Sequence, residues 1–474
     1  MYPDLKPGKH LLFDNVPLAD THRLRRRLHQ PVRDPQKPIL TAEKPWDGAS
    51  VTPLHVMYDP VKKLHRMWYQ AHDPKVQEER TKLGRSKYGN VGEPQPIYLC
   101  YSESHDGVTW NRPGLGIYKH KGEDTNICFK GFSYVAGNTF IFRPDAPAEE
   151  RYLMINCEWA TDQKGGIYIA RSPDGIHWKY PDDEPLIFGE SDTWNSLVYN
   201  PERKVFMVYM RGWHCAAVNW PVLKKGNPRR RVAYSESRDL KTWSEPQVIL
   251  TPDELDTNDF YGFQVFKYAN YYIGQLWIYD EDDRDTMEVE LAWSQDGILW
   301  SRLPERPRFL QVGRDGEPDA GMVIPAQEPV VMGDELHFYS VGHRAPHNAS
   351  DDPGSSSVGF RARLRMDGFI SVSAGSNHGA LLTRPFVVHG EQITINATTR
   401  PSGEIIAELV EPYFHEPEGK PIEGFAAKDF DVFRGDSVAH PLSWKGNSNL
   451  KALKGKRVML RMLLRHSDIY SLAI

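Results

Sequence analysis

The chain has 474 residues, enough to bury a large core, and a large domain followed by a smaller one is the natural expectation. Its 58 lysines and arginines against 63 aspartates and glutamates give a net charge of -5, which excludes the basic composition of nucleic-acid-binding proteins. Because no apolar run approaches the length of a membrane span, no membrane partner is expected. The 4 cysteines lack CxxC spacing, so neither a zinc site nor another cofactor site is indicated.

The N-terminal residues, MYPDLKPGKHLLFDN, lack the apolar core of a signal peptide. We therefore expect either a cytoplasmic protein or a secreted or periplasmic one from which an export signal has been removed.

A short tag recurs along the chain, in which an Asp-Gly or Asp-Leu pair stands a few residues before a tryptophan. The four copies are Asp106 to Trp110, Asp174 to Trp178, Asp239 to Trp243 and Asp296 to Trp300. A fifth, degenerate copy is Asp367-Gly-Phe369. Asp and Gly favour a turn, and Trp fills the apolar space beside it.

Between the tags lie paired runs of β-branched and aromatic residues, and helical periodicity is nearly absent. The pairs include residues 55–58 with 65–69, 139–142 with 152–155, 197–199 with 205–209, 264–266 with 271–273 and 328–332 with 336–339. An all-β repeat of roughly 60–70 residues with one turn and one Trp per unit predicts a β-propeller with a four-stranded blade per repeat. The visible units predict five blades.

An acidic residue precedes the first predicted strand of each unit. The five acids are Asp47, Asp124, Asp192, Asp259 and Asp319. Because the innermost strands of a propeller enter from one face around the axis, equivalent acids are expected to converge on one central pocket.

The pattern changes after Gly375. Residues 392–396, 404–409 and 457–464 alternate apolar and polar side chains, separated by Pro, Gly and Asn turns. The sequence therefore predicts a five-bladed propeller domain over residues 1–375 and a C-terminal β-sandwich domain over 376–474.

With this organisation the chain resembles the family-32 glycoside hydrolases (invertases and levanases) and their five-bladed furanosidase relatives. The stretch from Asp259 through Tyr261 to Gln264 is similar to that family's DFYAxQxF motif. The family's nucleophile motif, WMNDPNG, is represented only by Trp46-Asp47-Gly48, and its FRDP motif by Phe142-Arg-Pro-Asp145 at a predicted hairpin tip. Its glutamate-cysteine motif is present in reverse order as Cys157-Glu158.

The resemblance implies a catalytic role for three of the acids. Asp47 stands in the blade of the family's nucleophile, Asp124 in the blade of its transition-state stabiliser and Asp192 in the blade of its general acid. The alternative for each is a turn or capping aspartate. Glu158 and Glu328 remain as substitutes for the acid if the predicted register is shifted.

Aromatic, amide and charged residues near these acids are the predicted substrate contacts. They are Trp46, Asn126, Trp194, Asn195, Arg211, His214, Asp259, Tyr261, Gln264 and Asp319. A cation and a neutral donor such as Arg211 and His214 suit sugar hydroxyls or a uronate carboxylate. A salt bridge and a surface histidine are the structural alternatives.

Three functions follow from this pattern. The first is a glycoside hydrolase that cleaves an oligo- or polysaccharide with a pair of carboxylates in the central pocket. The second is a carbohydrate-binding propeller without catalysis, which the missing family motifs favour. The third is a five-bladed glycoside phosphorylase, with Arg211 and the Arg229-Arg-Arg231 cluster holding phosphate. Homo-oligomerisation is left open.

Overall fold

The computed structural model describes residues 4–34, 38–83, 96–132, 136–158, 165–189, 191, 193–214, 229–257, 259–349, 356–413 and 419–474. Over these residues the chain is almost wholly β-structure, with one α-helix, α1, at Pro74–Lys82. None of the described helices is long and apolar enough to cross a membrane. The predicted fold class is confirmed: the protein is all-β, a five-bladed propeller followed by a C-terminal β-sandwich.

The N-terminal segment supplies strands to both parts of the molecule. Its strands are β1 (Lys9–Leu11), β2 (Leu18–His22), β3 (Arg25–Leu28) and β4 (Val32–Arg33). The first three pair with strands of the C-terminal sheet, whereas β4 becomes the outermost strand of the fifth blade. The chain therefore closes the propeller by bringing its start to its last blade.

The first three blades are four-stranded antiparallel sheets whose strands run outward from the axis in chain order. Blade 1 contains β5 (Ser50–Asp59), β6 (Leu64–His72) and β7 (Ile97–Ser104), then the ribbon β8 (Lys119–His120) and β9 (Glu123–Asp124), and finally β10 (Ile127–Phe129). Blade 2 contains β11 (Ala136–Phe142), β12 (Tyr152–Glu158), β13 (Gly166–Ser172) and β14 (Ile187–Phe188). Blade 3 contains β15 (Ser196–Asn200), β16 (Val205–His214), β17 (Arg229–Ser237) and β18 (Gln247–Leu250).

The last two blades have the same plan with interrupted strands. Blade 4 contains β19 (Asp259–Tyr268), β20 (Tyr271–Asp280), β21 (Thr286–Ser294), β22 (Ser301–Arg302) and β23 (Arg308–Leu310). Blade 5 contains β24 (Met322–Pro325), β25 (Val330–Met332), β26 (Glu335–His343) and β27 (Ser357–Arg365). Strands β24 and β25 both pair with β26, so together they form one innermost strand with a break between them.

The sequence tags clamp neighbouring blades together. In three of them the glycine carbonyl accepts a hydrogen bond from an aromatic side chain on the second strand of the preceding blade. The donor and acceptor pairs are Tyr339 and Gly107 at 3.0 Å, Trp68 and Gly175 at 2.6 Å, and Tyr209 and Gly297 at 2.8 Å. In the remaining tag Leu240 takes the same left-handed backbone conformation, at φ 61°, and packs into the core between blades 2 and 3.

Gln327 joins all five blades at the axis. Its backbone N–H donates to the carbonyl of Leu54 in blade 1 at 3.0 Å. Its side-chain oxygen accepts the N–H of Phe140 in blade 2 at 2.7 Å, and its amide nitrogen donates to the carbonyl of Leu197 in blade 3 at 3.0 Å. Its carbonyl accepts the amide of Gln275 in blade 4 at 3.2 Å. Gln327 itself belongs to blade 5, so these four bonds connect blade 5 to each of the other blades.

Hydroxyl side chains satisfy other free edges of the innermost strands. Thr139 of blade 2 donates to the carbonyl of Asn195 at 2.6 Å and accepts the N–H of Leu197 at 3.2 Å. Ser196 of blade 3 bonds both the carbonyl and the N–H of Val265 in blade 4, at 3.2 and 3.0 Å. Blades 2 and 3 and blades 3 and 4 are thus joined by hydrogen bonds at their innermost strands, because buried backbone groups need partners.

The C-terminal sandwich is organised by two strands of 17 residues each. Its strands are β28 (Ile370–Ala374), β29 (Gly379–Thr383), β30 (Phe386–Val387), β31 (Thr394–Val410), β32 (Asp436–Pro441) and β33 (Arg457–Ala473). The separate strands predicted at 392–396 and 404–409 are one strand, β31, because two bulges bend it without breaking its pairing to β33.

Asp367 of the degenerate tag joins the propeller to the sandwich. Its buried carboxylate accepts hydrogen bonds from Lys9 at 2.9 Å, Tyr268 at 2.6 Å, Asn396 at 3.3 Å and Ser471 at 2.6 Å. Since β1 to β3 and β28 pair within the sandwich sheet, this sheet draws on both sides of position 375. The domain boundary between 375 and 376 stays a prediction.

The clamp around the tags predicts a large cost for a side chain at Gly175. An added Cβ would stand 2.7 Å from the Trp68 ring, at a φ of +76°. We expect Gly175→Ala to lower the free energy of unfolding by about 2–4 kcal/mol. Gly316→Ala is the control, because Gly316 has a similar φ of +87° with open space around it; strain alone should cost about 1 kcal/mol. Urea unfolding measures both, and equal costs would contradict the clamp.

The hydrogen bonds of Gln327 predict that its side chain contributes more to the free energy of unfolding than the side chain of an exposed glutamine. Gln327→Ala leaves the Phe140 N–H and the Leu197 carbonyl without their partners. We expect a loss of about 2–4 kcal/mol in the free energy of unfolding. Gln311→Ala, at an exposed position of the propeller, should change it by less than about 0.5 kcal/mol. Indistinguishable unfolding curves for the two variants would refute the axial role.

Candidate functional site

The loops that lead into the innermost strands all lie on one face of the propeller, which we call the entry face. Three of the predicted acids lie at these loops: Asp47 precedes β5, Asp259 begins β19 and Asp319 precedes β24. All three are fully buried. Each of the three carboxylates is held by a different set of partners.

Asp47 ties its entry loop to the outer edge of blade 1. One carboxylate oxygen accepts the N–H groups of Glu43 and Lys44 at 3.0 and 2.8 Å and a charged hydrogen bond from Arg112 at 2.6 Å. The other accepts the hydroxyl of Tyr69 at 3.0 Å. With both oxygens engaged and no exposed surface, Asp47 serves as an anchor.

Trp46 and Asn126 extend this anchor. The Trp46 indole donates to the Asn126 side-chain oxygen at 2.7 Å. The Asn126 amide nitrogen donates to the Tyr69 hydroxyl and to the Tyr101 carbonyl, both at 2.8 Å. Both residues are buried. Trp46 and Asn126 were predicted to contact the substrate. In the structure their polar atoms are directed into blade 1 and form hydrogen bonds there.

Asp319 forms a second anchor in blade 5. Its buried carboxylate pairs with the guanidinium of Arg33, which belongs to the closing strand β4. Burial raises the pKa of Asp319, and the charge of Arg33 opposes that rise. The Cβ of Asp319 packs against Gly342 of β26 and its carboxylate against Gly313, so a side chain at either glycine would collide with Asp319. The predicted substrate role of Asp319 is therefore replaced by closure of the blade.

Asp259 holds the arginine cluster at the start of β17. It accepts the backbone N–H of Arg230 at 2.6 Å and a charged hydrogen bond from Arg229 at 3.1 Å. Arg229 also binds Glu281 and Asp282, at 3.0 and 3.1 Å. These carboxylates occupy Arg229, the first arginine that the phosphorylase alternative assigns to phosphate.

Asp124 does not precede an innermost strand. It lies in the ribbon β8–β9 of blade 1, ahead of the outermost strand β10, and its side chain is 51% exposed beside Lys119. The prediction that Asp124 precedes the first strand of its unit was wrong, because the acid spacing counted an acid of this outer ribbon as a strand entry. Asp192 lies outside the described residues. His214 ends β16 with its backbone paired to Arg229, and its side chain also lies outside the description.

The described neighbours of position 192 are held firmly. The Ser191 hydroxyl bonds the Asn195 side-chain oxygen at 2.5 Å and accepts the N–H of Arg211 at 3.0 Å. The Asn195 amide returns to the carbonyls of Ser191 and Thr193 at 3.2 and 3.1 Å. Gln264 donates to the carbonyl of Trp194 at 3.2 Å. Asn195 and Gln264 thus shape the entry loop of blade 3.

Trp194 spans the entry face. It is half-buried and packs against the hydrophobic cluster between blades 1 and 2 and also against the cluster of blades 4 and 5. Its ring meets Trp277 edge-on, with centroids 5.0 Å apart. Contact with both sides of the propeller places Trp194 over the axis.

Tyr261 stands beside Trp194 with two cations on its ring. The guanidinium carbons of Arg211 and Arg230 lie 4.6 and 5.1 Å from the ring centroid. Its hydroxyl lies 2.9 Å from the His347 ring nitrogen. Together with Trp194 these residues form an aromatic and basic rim. Trp194, Arg211 and Tyr261 were predicted as site residues, and Arg230 was named only within the arginine cluster of the phosphorylase alternative. His347 was not predicted.

A cluster of buried polar side chains lies where the entry ends of blades 1 and 2 meet. Glu158, at the end of β12, is fully buried. Its carboxylate accepts the N–H of Phe132 at 3.1 Å, the amide of Asn156 at 3.3 Å and the hydroxyl of Tyr180. Burial, followed by the charge of Glu158, raises the pKa of Tyr180 well above its ordinary value. We call this group the blade 1–2 pocket.

This pocket also contains buried acceptors without donors. The side-chain oxygens of Gln70, Asn138 and Asn156 are buried with no hydrogen-bond partner in the described structure. Asn138 and Asn156 share the apolar strands β11 and β12 with Met154 and Phe140, which fill the interface below them. Since an unpaired buried oxygen costs free energy, these oxygens suit a ligand with several hydroxyl donors.

Sequence reasoning named Glu158 only as a substitute acid and missed Asn138, Asn156 and Tyr180. A local signal exists, because Asn138 and Asn156 are amides inside otherwise apolar strand sequences, AGNTFIF and YLMINCE. Buried amides in such runs require partners, which points to a site.

Glu328 and His55 lie one residue beyond Gln327 and Leu54 on the axis, away from the entry face. Their side chains approach to 3.8 Å. Burial lowers the pKa of His55 to about 4, so the ring is neutral at pH 7. Burial also raises the pKa of Glu328 to about 7, although its side chain is 42% exposed.

No protein-family model matches the sequence, and no curated protein matches it. Solved structures do show similarity. One is a glycosyl hydrolase from Bacteroides ovatus, with 12% identity over 72% of this chain and 94% of that chain and a TM-score of 0.47. Another is a β-1,2-mannobiose phosphorylase from Listeria innocua, with 11% identity over 71% and 97% and a TM-score of 0.47.

A third is a GH32 β-fructofuranosidase from Bombyx mori, with 12% identity over 94% of both chains and a TM-score of 0.42. The three names are those of glycoside hydrolases and a phosphorylase. Similarity at this level transfers no residue role and no activity to this chain.

Glu328 predicts a pH-dependent stability. The pKa of Glu328 is raised in the folded protein to about 7. The protonated carboxyl therefore supports the folded state fully below about pH 4.5, and the free energy of unfolding falls as the pH rises through 7. We expect Glu328→Gln to stabilise the protein by about 1 kcal/mol at pH 8, after allowance for solvent exposure, and to leave it unchanged at pH 4.5.

The control is Glu335→Gln, at a carboxyl that is 41% exposed and paired with Arg363. This variant should give no gain at pH 8. Urea unfolding of both variants at the two pH values measures the difference, and a pH-independent effect of Glu328→Gln would contradict the assignment.

Proposed function

We propose that the protein is a glycoside hydrolase that cleaves a glycosidic bond in an oligo- or polysaccharide at the entry face of the propeller. The observation that carries the proposal is the blade 1–2 pocket. A buried carboxylate stands there among amide oxygens that lack donors. Sugar hydroxyls are donors that satisfy such oxygens, and the aromatic rim of Trp194 and Tyr261 suits the C–H face of a sugar ring.

Glycosidic cleavage needs an acid to protonate the leaving oxygen and a second carboxylate as base or nucleophile. We assign the second role to Glu158, because Asn156, Phe132 and Tyr180 donate hydrogen bonds that hold its carboxylate in place. The acid role is assigned to Asp192, on its sequence position in blade 3. Asp47 is given a positioning role, since Arg112 and Tyr69 engage both of its oxygens.

A carbohydrate-binding propeller without catalysis is the second candidate. The observation that favours it is the engagement of Asp47, Asp259 and Asp319 in anchors, which removes three carboxylates from chemistry. Such a protein would retain a glycan and release no product.

The proposal predicts that Glu158→Gln and Asp192→Asn each lower turnover by at least about 100-fold while the unfolding midpoint changes little. Gln keeps an acceptor for Tyr180, so the pocket should remain folded. Asp315→Asn, at an exposed loop acid, is the control and should retain full activity. Reducing-sugar release from a glycan panel is the measurement.

Two outcomes decide between the candidates. If Glu158→Gln and Asp192→Asn are both as active as Asp315→Asn, the assigned roles are rejected. Retention of a glycan by the wild-type protein on an array, with no reducing sugar released from that glycan, would establish the binding propeller instead.

A further inference from the structure

A second cavity, of about 310 Å³, lies between blades 2 and 3 near the entry face. Its walls include Ile187, Met210, Trp213 and Val248. On β16, Val208 and Met210 pack toward blade 2, and Gly212 is the next residue on that side. The missing side chain at Gly212 leaves the space open. We call it the blade 2–3 cavity.

The mouth of this cavity is apolar and exposed. Phe188 at the end of β14 is 65% exposed, and Val248 on β18 is 46% exposed. Both belong to the cavity lining. Two large apolar side chains left in solvent at one opening favour a ligand that covers them, because single exposed apolar residues are common but paired ones at a cavity mouth are not.

The cavity adjoins the proposed catalytic loop. Ser191, next to position 192, lines the cavity, and its hydroxyl holds Asn195 and the N–H of Arg211. Arg211 also lines the cavity, and its guanidinium lies over the ring of Tyr261 in the rim. A ligand bridging rim and cavity would therefore pass Ser191, the chain neighbour of the residue assigned as general acid.

We propose that the blade 2–3 cavity is the leaving-group subsite and that it takes a flat ring with an apolar face. This inference rests on the proposed function. A volume of about 310 Å³ lies at the lower end of ligand sites, which corresponds to a single ring. Phe188 offers an exposed aromatic surface at the mouth, and Trp213 and Arg211 also belong to the cavity lining. The ring is either an aryl group or the next sugar of the substrate.

The test fills the cavity from its exposed side with Val248→Trp. The matched control is Val331→Trp, because Val331 is also an exposed valine, at 54%, on strand β25 of another blade. Rates are measured with three substrates of the same sugar: the 4-nitrophenyl glycoside, the methyl glycoside and the disaccharide.

We expect Val248→Trp to lower kcat/KM for the substrates with a ring in the leaving group by at least about 10-fold. The kcat/KM of the same variant for the methyl glycoside should change by less than about 2-fold. Val331→Trp should match the wild type with every substrate. Loss for the nitrophenyl substrate alone identifies an aryl leaving group, and loss for the disaccharide identifies a sugar. Equal behaviour of the two variants with every substrate would overturn the subsite.

A binding measurement separates this inference from the proposed function. If no glycoside in the panel is cleaved, saturation-transfer NMR with 4-nitrophenyl glycosides still reports on the cavity. Transfer to the aryl protons in the wild type and its loss in Val248→Trp would support the subsite while hydrolysis fails. Absence of transfer, or transfer unchanged in Val248→Trp, would overturn it.

Discussion

The free edges of the innermost strands are the constraint on which the rest of the propeller depends. Five strands present backbone N–H and carbonyl groups to the axis, and these groups are buried and require partners. Thr139 and Ser196 supply partners across neighbouring blades, and Gln327 reaches all five. Because the side chain and backbone of Gln327 are engaged in these bonds, Gln327 serves the closure of the ring.

The acids at the strand entries form ion pairs that hold the propeller together, and their carboxylates are engaged in those pairs. Asp47 pairs with Arg112, Asp319 with Arg33, and Asp259 with Arg229. A buried carboxylate is costly unless it is paired and hydrogen-bonded. The pairs tie the entry loops of blades 1 and 5 to the outer edges of the same blades, while Asp259 joins blades 3 and 4. The candidate site therefore depends on groups that are not in such pairs.

The fold could be predicted from the sequence to a large extent, because its signals are local. Each tag encodes its own turn, and strand pairs such as 139–142 with 152–155 are joined by short connections. The site could be predicted only in part. Trp194, Tyr261 and Arg211 were expected near the axis and meet at the rim. Asn138 and Asn156 were not expected, since only the packing of blade 1 on blade 2 places them in a pocket.

The sequence alone determined the all-β class, the repeat and the number of blades, because turns and strand alternation depend on neighbouring residues. The tertiary structure decided where each acid is directed. Asp47 meets Arg112 at a separation of 65 residues, and Asp319 meets Arg33 across the closure of the ring. These partners come together only when the blades are assembled, so no local sequence pattern predicts them. For the same reason the sequence placed Asp124 at a strand entry, and the sheet order placed it in an outer ribbon of blade 1.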